Sequence, residues 1–151
     1  VFGIGTEADN SAANAQIYTL DPNYGTLNTT YSGVLYGSSF IDSGSNAYYF
    51  TDDAIPLCAD ANAFYCPTAT MPLSATIQGT NGTLATIPFS VDNADADFAT
   101  NASVLPNLAG PIFGAATDAF DWGLPFFYGR SIYVAFEAET SAGVPGPWIG
   151  F

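Results

Sequence analysis

Asp42 is the residue best placed to do chemistry, in the string Ser39-Phe40-Ile41-Asp42-Ser43-Gly44-Ser45-Asn46. Two apolar residues, typical of a buried strand end, deliver one acid into a turn of Ser, Gly and Ser. Gly44 supplies backbone freedom that a residue with a Cβ lacks. The hydroxyls of Ser43 and Ser45 can bond the carboxylate or nearby backbone amides. The expected result is a carboxylate held by hydrogen bonds at the rim of an apolar core, where it can take or give a proton. The same string can also form a plain Asx-type turn between two strands.

Composition narrows what else is available. The chain has 151 residues, enough for one domain with a single core, and 48% of them are apolar, which excludes a disordered segment. Fourteen acids face one base, Arg130, with no Lys and no His, for a net charge of −13. Nucleic-acid binding needs Lys and Arg to neutralise phosphate, so it is not expected, and neither is binding to an anionic membrane surface. Without His, zinc sites and Ser-His or Cys-His nucleophiles cannot be built from this chain alone. Asp, Glu, Tyr and backbone must do any chemistry. Asp92, Asp95 and Asp97 lack the Gly and closing Glu of a calcium loop, so no metal is expected there and no cofactor anywhere.

Cys58 and Cys66 enclose seven residues and have no neighbouring ligands, which favours a small loop-closing disulfide over a pair of buried thiols. A disulfide places the protein outside the cytoplasm: secreted or extracellular, with periplasm and cell surface both open. Sequons begin at Asn28, Asn81 and Asn101 and suit surface loops. No signal peptide or apolar spanning run is present, and the chain begins on Val1-Phe2 without Met, as a processed piece of something longer does.

The elements that must position Asp42 read as strands. Val1-Phe2-Gly3-Ile4-Gly5 alternates apolar residues with glycine and predicts a closely packed strand. Residues 15–20, 26–31 and 48–50 predict three more, with a turn at Asp21-Pro22-Asn23-Tyr24-Gly25, while Val34-Leu35-Tyr36 and Phe40-Ile41 flank Gly37 and lead into Asp42. Asp52 and Asp53 predict the cap of a single helical turn. Residues 73–78 and 84–91 predict a hairpin through Asn81-Gly82. Residues 92–101 predict a solvated loop or short helix. The run Ser131-Ile132-Tyr133-Val134-Ala135-Phe136-Glu137 predicts a buried strand. The fold class is all-β with at most short helices.

These pieces resemble, in order, the C-terminal lobe of pepsin-type aspartic peptidases. Phe2-Gly3-Ile4-Gly5 is similar to the strand that opens such lobes, and Phe40-Ile41-Asp42-Ser43-Gly44-Ser45 to their acid turn. Trp122-Gly123 resembles the apolar-Gly stretch that threads beside that turn, followed by Phe126-Phe127, Arg130 and the strand to Glu137. The strings 39–46, 64–67 and 120–130 also resemble the second half of an uncharacterised bacterial secreted family with two acid turns per protein. The resemblance implies that residues 1–151 are one lobe of a pepsin- or retropepsin-like barrel. Asp42 would be a catalytic acid, Ser43, Gly44 and Ser45 would orient it, and Trp122 and Gly123 would support the turn. Two features depart from the family's pattern: Asp121 stands where the lobes place an apolar residue, and the chain has one acid turn. Water activation in that family takes two carboxylates sharing a proton.

Three functions follow as expectations. In the first, the chain contributes one of two acids to peptide hydrolysis. A second lobe, either a missing N-terminal half or a symmetry mate, then supplies the other, the substrate is a polypeptide, and the isolated lobe is inactive. In the second, it is a non-catalytic extracellular β-protein that binds a partner or self-associates as a surface layer, filament or fibre. In the third, it is a glycosidase, which needs two acids at a spacing of about 5–10 Å, and nothing in the sequence selects such a pair.

Overall fold

Alternating apolar residues set the strands. The computed structural model describes residues 3–60, 63–114 and 118–151. The chain is mostly β, with one short α-helix and two 3-10 turns among the described residues. Ile17–Thr19 (β1) buries Tyr18. Leu27–Tyr31 (β2) turns Leu27, Thr29 and Tyr31 inward, the period of two that a half-buried strand requires. Ser32 and Gly33, at φ of 50° and 79°, make the tight turn into Val34–Ile41 (β3). Tyr48–Tyr49 (β4) follows. Met71–Gln78 (β5) and Leu84–Val91 (β6) form the expected hairpin, in unbroken register from Met71 opposite Val91 to Gln78 opposite Leu84.

Asn93 then caps the helix Ala94–Ala99 (α1) by accepting from the Ala96 N–H at 3.0 Å. The rest of the chain is short pieces: Ala109–Gly110 (β7), Asp121–Trp122 (β8), a 3-10 turn Leu124–Phe127, Tyr133–Ala135 (β9), Thr140–Ser141 (β10), Val144–Pro145 (β11) and Trp148–Gly150 (β12). Seven strands in the order β6-β5-β2-β3-β8-β4-β7 curl into a nearly closed, barrel-like sheet. β1, β12 and β9 form a separate sheet with β12 in the middle.

The sheet order is what matters for the site. β3 and β4 are consecutive in the chain but do not pair. β8 lies between them, parallel to β3 and antiparallel to β4. An aromatic core holds it there. Trp122 stacks on Phe120 at 4.4 Å between ring centres, Phe120 stacks on Phe50 at 4.7 Å, and Tyr48 and Phe126 meet Trp122 edge-on. The Trp122 indole N–H donates to Thr29 Oγ1 at 3.0 Å, so the one polar atom of that ring is satisfied inside the core.

Two local expectations are corrected. In the predicted opening strand, Val1 and Phe2 lie outside the described residues. Gly3 and Gly5 take φ of 87° and 74°, so the described part makes turns, and the Gly5 N–H donates to the Asn10 carbonyl. As expected, Asp52 caps a single turn: its Oδ1 receives the Ala54 N–H at 2.9 Å and its carbonyl the Ile55 N–H at 3.2 Å. The run 131–137 is strand only over Tyr133–Ala135. β9 is an edge paired on one side, which leaves Val134 51% and Phe136 66% exposed.

Candidate functional site

β3 carries its chain past Ile41 and delivers Asp42 into a turn that closes on its own carboxylate. Oδ1 accepts the Gly44 N–H at 2.7 Å and Oδ2 accepts the Ser45 hydroxyl at 3.2 Å. A donor pair within three residues is what the local sequence allows without help from elsewhere. Ser43 is exposed, and the predicted second hydroxyl donor is replaced by the Gly44 amide. Gly44 does not sit at positive φ. Its value is space, because a Cβ there would come to 3.0 Å from Asp42 Oδ1.

The turn is braced by β8 and the residues just after it. The Asp42 N–H donates to the Trp122 carbonyl at 3.1 Å, and the Leu124 N–H donates to the Ser45 carbonyl at 2.7 Å. Between those two bonds lies Gly123. A Cβ on it would fall 2.0 Å from the Ala47 carbonyl oxygen and 2.8 Å from that of Ser45. Only glycine lets the backbones meet so closely. The structure thus brings together Asp42, Gly44, Ser45, Trp122 and Gly123, residues 80 apart in sequence. Upstream, the same register is pinned by Asp118, whose oxygens accept the Gly37 N–H and the Ser38 hydroxyl, each at 3.1 Å.

Asp121 is the residue sequence reasoning treated only as a departure. In β8 it lies opposite Phe40 on one side and Tyr49 on the other. Its side chain is on the face of β3 that carries Phe40 and Asp42, since alternate residues of paired strands share a face. It is 5% exposed, and its Oδ1 has no hydrogen-bond partner. Burial pushes its carboxyl up to about 6, the negative charge of Asp42 adds to the rise, and the nearby Ser45 hydroxyl opposes it. Burial and the Asp121 charge also push up the Tyr49 phenol. A readable signal existed: an acid between Phe120 and Trp122, in a run too aromatic to face water.

The remaining candidates lie elsewhere. Cys58 and Cys66 are disulfide-bonded, with the Cys58 N–H donating to Phe64 and the Cys66 N–H to Pro56 across a small hairpin. Asn81 and Asn101 are in exposed turns, as expected. Asn28 is not in a loop: it lies in β2, between β3 and β5, with Gln78 opposite. A second polar cluster, missed in the sequence, surrounds Asp52 at a groove of about 460 Å³ lined by Tyr31, Tyr36 and Asp53 among others. Tyr31 donates to Asp52 Oδ2 at 2.5 Å, and Tyr65 donates to the Phe50 carbonyl while accepting the Asp52 N–H. Burial, then Asp52, pushes the Tyr31 phenol up, and burial raises Tyr65 to about 12. These tyrosines stay neutral donors. No helix among the described residues is long and apolar enough to cross a membrane.

Residues 1–151 match a family described as "Protein of unknown function (DUF3443)". No curated protein and no solved structure matches the sequence.

Proposed function

We propose that this chain, which belongs to the DUF3443 family of unknown function, is a pepsin-like lobe that contributes Asp42 as one of two acids in peptide-bond hydrolysis. The observation that carries the reading is the seat of the acid turn: β8 runs parallel to β3, and Gly123 lies against the Ser45 and Ala47 carbonyls. The resemblance to pepsin-type lobes implied such threading, and a plain Asx turn has no need of it. The half-buried Asp42 carboxylate, aimed by Gly44 and Ser45, would act as general base on a water molecule. That water's oxygen adds to the scissile carbonyl carbon. The second acid, from another lobe, protonates the departing amine as the C–N bond breaks. The acid turn provides one such carboxyl, so a second lobe or a second copy of this chain must bring the other. The disulfide fits a secreted protein.

The test is cleavage of an unfolded polypeptide at acid pH over a range of protein concentrations, with and without a second lobe supplied in trans. Cleavage that Asp42→Asn abolishes supports the reading. Full cleavage in that variant removes Asp42 from the chemistry.

A second reading, a non-catalytic extracellular protein that self-associates, is favoured by one observation. Edge strand β9 leaves Val134 and Phe136 exposed beside a groove of about 440 Å³ that Ile4 and Ile132 also line. Open strand edges with apolar side chains recruit further chains. Sedimentation that finds only monomers at high concentration defeats it. Assembly weakened by Val134→Lys supports it.

A further inference from the structure

Hydrogen atoms around the acid turn do not suffice for two ionised acids. Ser45 owns a single hydroxyl hydrogen. It donates to Asp42 Oδ2 at 3.2 Å, and Asp121, opposite Phe40 on the neighbouring strand, shares the face that carries Asp42. Asp121 is 95% buried, one of its oxygens has no partner, and among the described residues no cationic side chain faces it. Of the titratable groups packed against it, Asp42 comes from the end of β3 and Tyr49 from β4, and the 3-10 turn Leu124–Phe127 adds none. Arg130 is directed elsewhere, donating to the Phe126 carbonyl over the Phe126 ring. A buried carboxylate with neither cation nor donor does not persist; it takes a proton.

We infer that Asp42, Ser45 and Asp121 form one proton-sharing unit in which the protonated Asp121 donates to Ser45 and Ser45 donates to Asp42. Asp121 is then a positioning residue for the acid turn. It does not replace the second lobe's acid, because it is buried away from any substrate. When the proton leaves, two carboxylates compete for one hydroxyl hydrogen, and the turn loosens from its Gly123 brace. The acid turn is therefore assembled at acid pH and relaxed above it. The unit is independent of the peptidase reading, and only its consequence for catalysis rests on that reading.

The experiment is a carboxyl-carbon NMR titration of the full chain, with amide hydrogen exchange at Gly44 and Leu124, whose N–H groups close the turn. The expected Asp121 midpoint is near 6. Asp42→Asn should lower that midpoint, by removing a like charge, and Ser45→Ala should lower it too, by removing the acceptor of the Asp121 proton. A carboxyl that merely received a hydrogen bond from Ser45 would instead rise in Ser45→Ala. Protection of the two amides, corrected for intrinsic rates, should fall at least about tenfold between about pH 5 and pH 8 in the wild type and stay level in Asp121→Asn. An Asp121 midpoint near that of an ordinary carboxylate overturns the inference, as does a raised midpoint that neither variant moves. Should Asp42→Asn fail to fold, the wild-type exchange profile decides, and protection that is independent of pH overturns it. Absence of proteolysis by the wild type in the presence of its second lobe defeats the peptidase reading and leaves these titrations standing. Proteolysis with an ordinary Asp121 defeats only the shared proton.

Discussion

Two aspartates sit beside aromatic side chains in this molecule, and they are treated in opposite ways. Asp52 is partly exposed and has a donor for each oxygen: the Ala54 N–H on Oδ1 and the Tyr31 hydroxyl on Oδ2. The cost of its charge falls on the phenols around it, which are held neutral. Asp121 is buried deeper, has one oxygen without a donor, and has another acid as its neighbour. There the cost falls on the carboxyl itself. A satisfied carboxylate is a structural part, whereas an unsatisfied one beside a candidate catalytic acid is a reservoir for a proton.

The comparison can be broken most severely at its support. Gly123→Ala drives a methyl group into two backbone carbonyls, and we expect a loss of about 3 kcal/mol or more, or no folding, by urea denaturation. Gly44→Ala, whose methyl meets only a side-chain oxygen at 3.0 Å, should lose about 1 kcal/mol or less. Equal losses in the two would mean that β8 does not brace the turn.

Next in size is the pH dependence. The folded carboxyl of Asp121 titrates near 6 against an ordinary value of 3.8, so the folded protein holds a proton that the unfolded chain releases. The resulting stability is complete below about pH 4 and is lost as pH rises through 6, by roughly 3 kcal/mol. Urea midpoints across that range should fall in the wild type. Asp121→Asn should remove most of the slope, and Asp52→Asn should leave it in place.

The disulfide bears on the other aspartate. Tyr65, which accepts the Asp52 N–H, lies in the hairpin that Cys58 and Cys66 close. Replacing both cysteines with Ser should lower stability by about 2–3 kcal/mol and shift the Tyr65 ring resonances more than those of Trp122. Smallest is Tyr31→Phe. It removes one hydrogen bond to a carboxylate that water can still reach, for about 1 kcal/mol in thermal unfolding, with no change at the Gly44 amide.

Much of the local structure was legible from the chain. The hairpin β5–β6 followed from clean alternation and from Asn81-Gly82, and the acid turn from a carboxylate with donors two and three residues ahead of it. Asn28 and the run 131–137 misled for one reason. Composition reports how well a residue suits a strand, but which strand pairs on each side decides exposure. Asn28 gained neighbours on both sides, and β9 on one only.

What the sequence determined by itself is therefore the set of contacts made within a few residues: the turns, the strand periods, the small disulfide loop and the poverty of cations. The meeting of Gly123 with the acid turn was expected from the resemblance and from no local pattern, and only the tertiary structure decided that β8 enters between β3 and β4 and that Asp121 is buried beside Asp42. Those contacts join segments some 80 residues apart, and their energy comes from packing Trp122 and Phe120 into a shared aromatic core. No local preference encodes them, because the partners meet only after the sheet has closed.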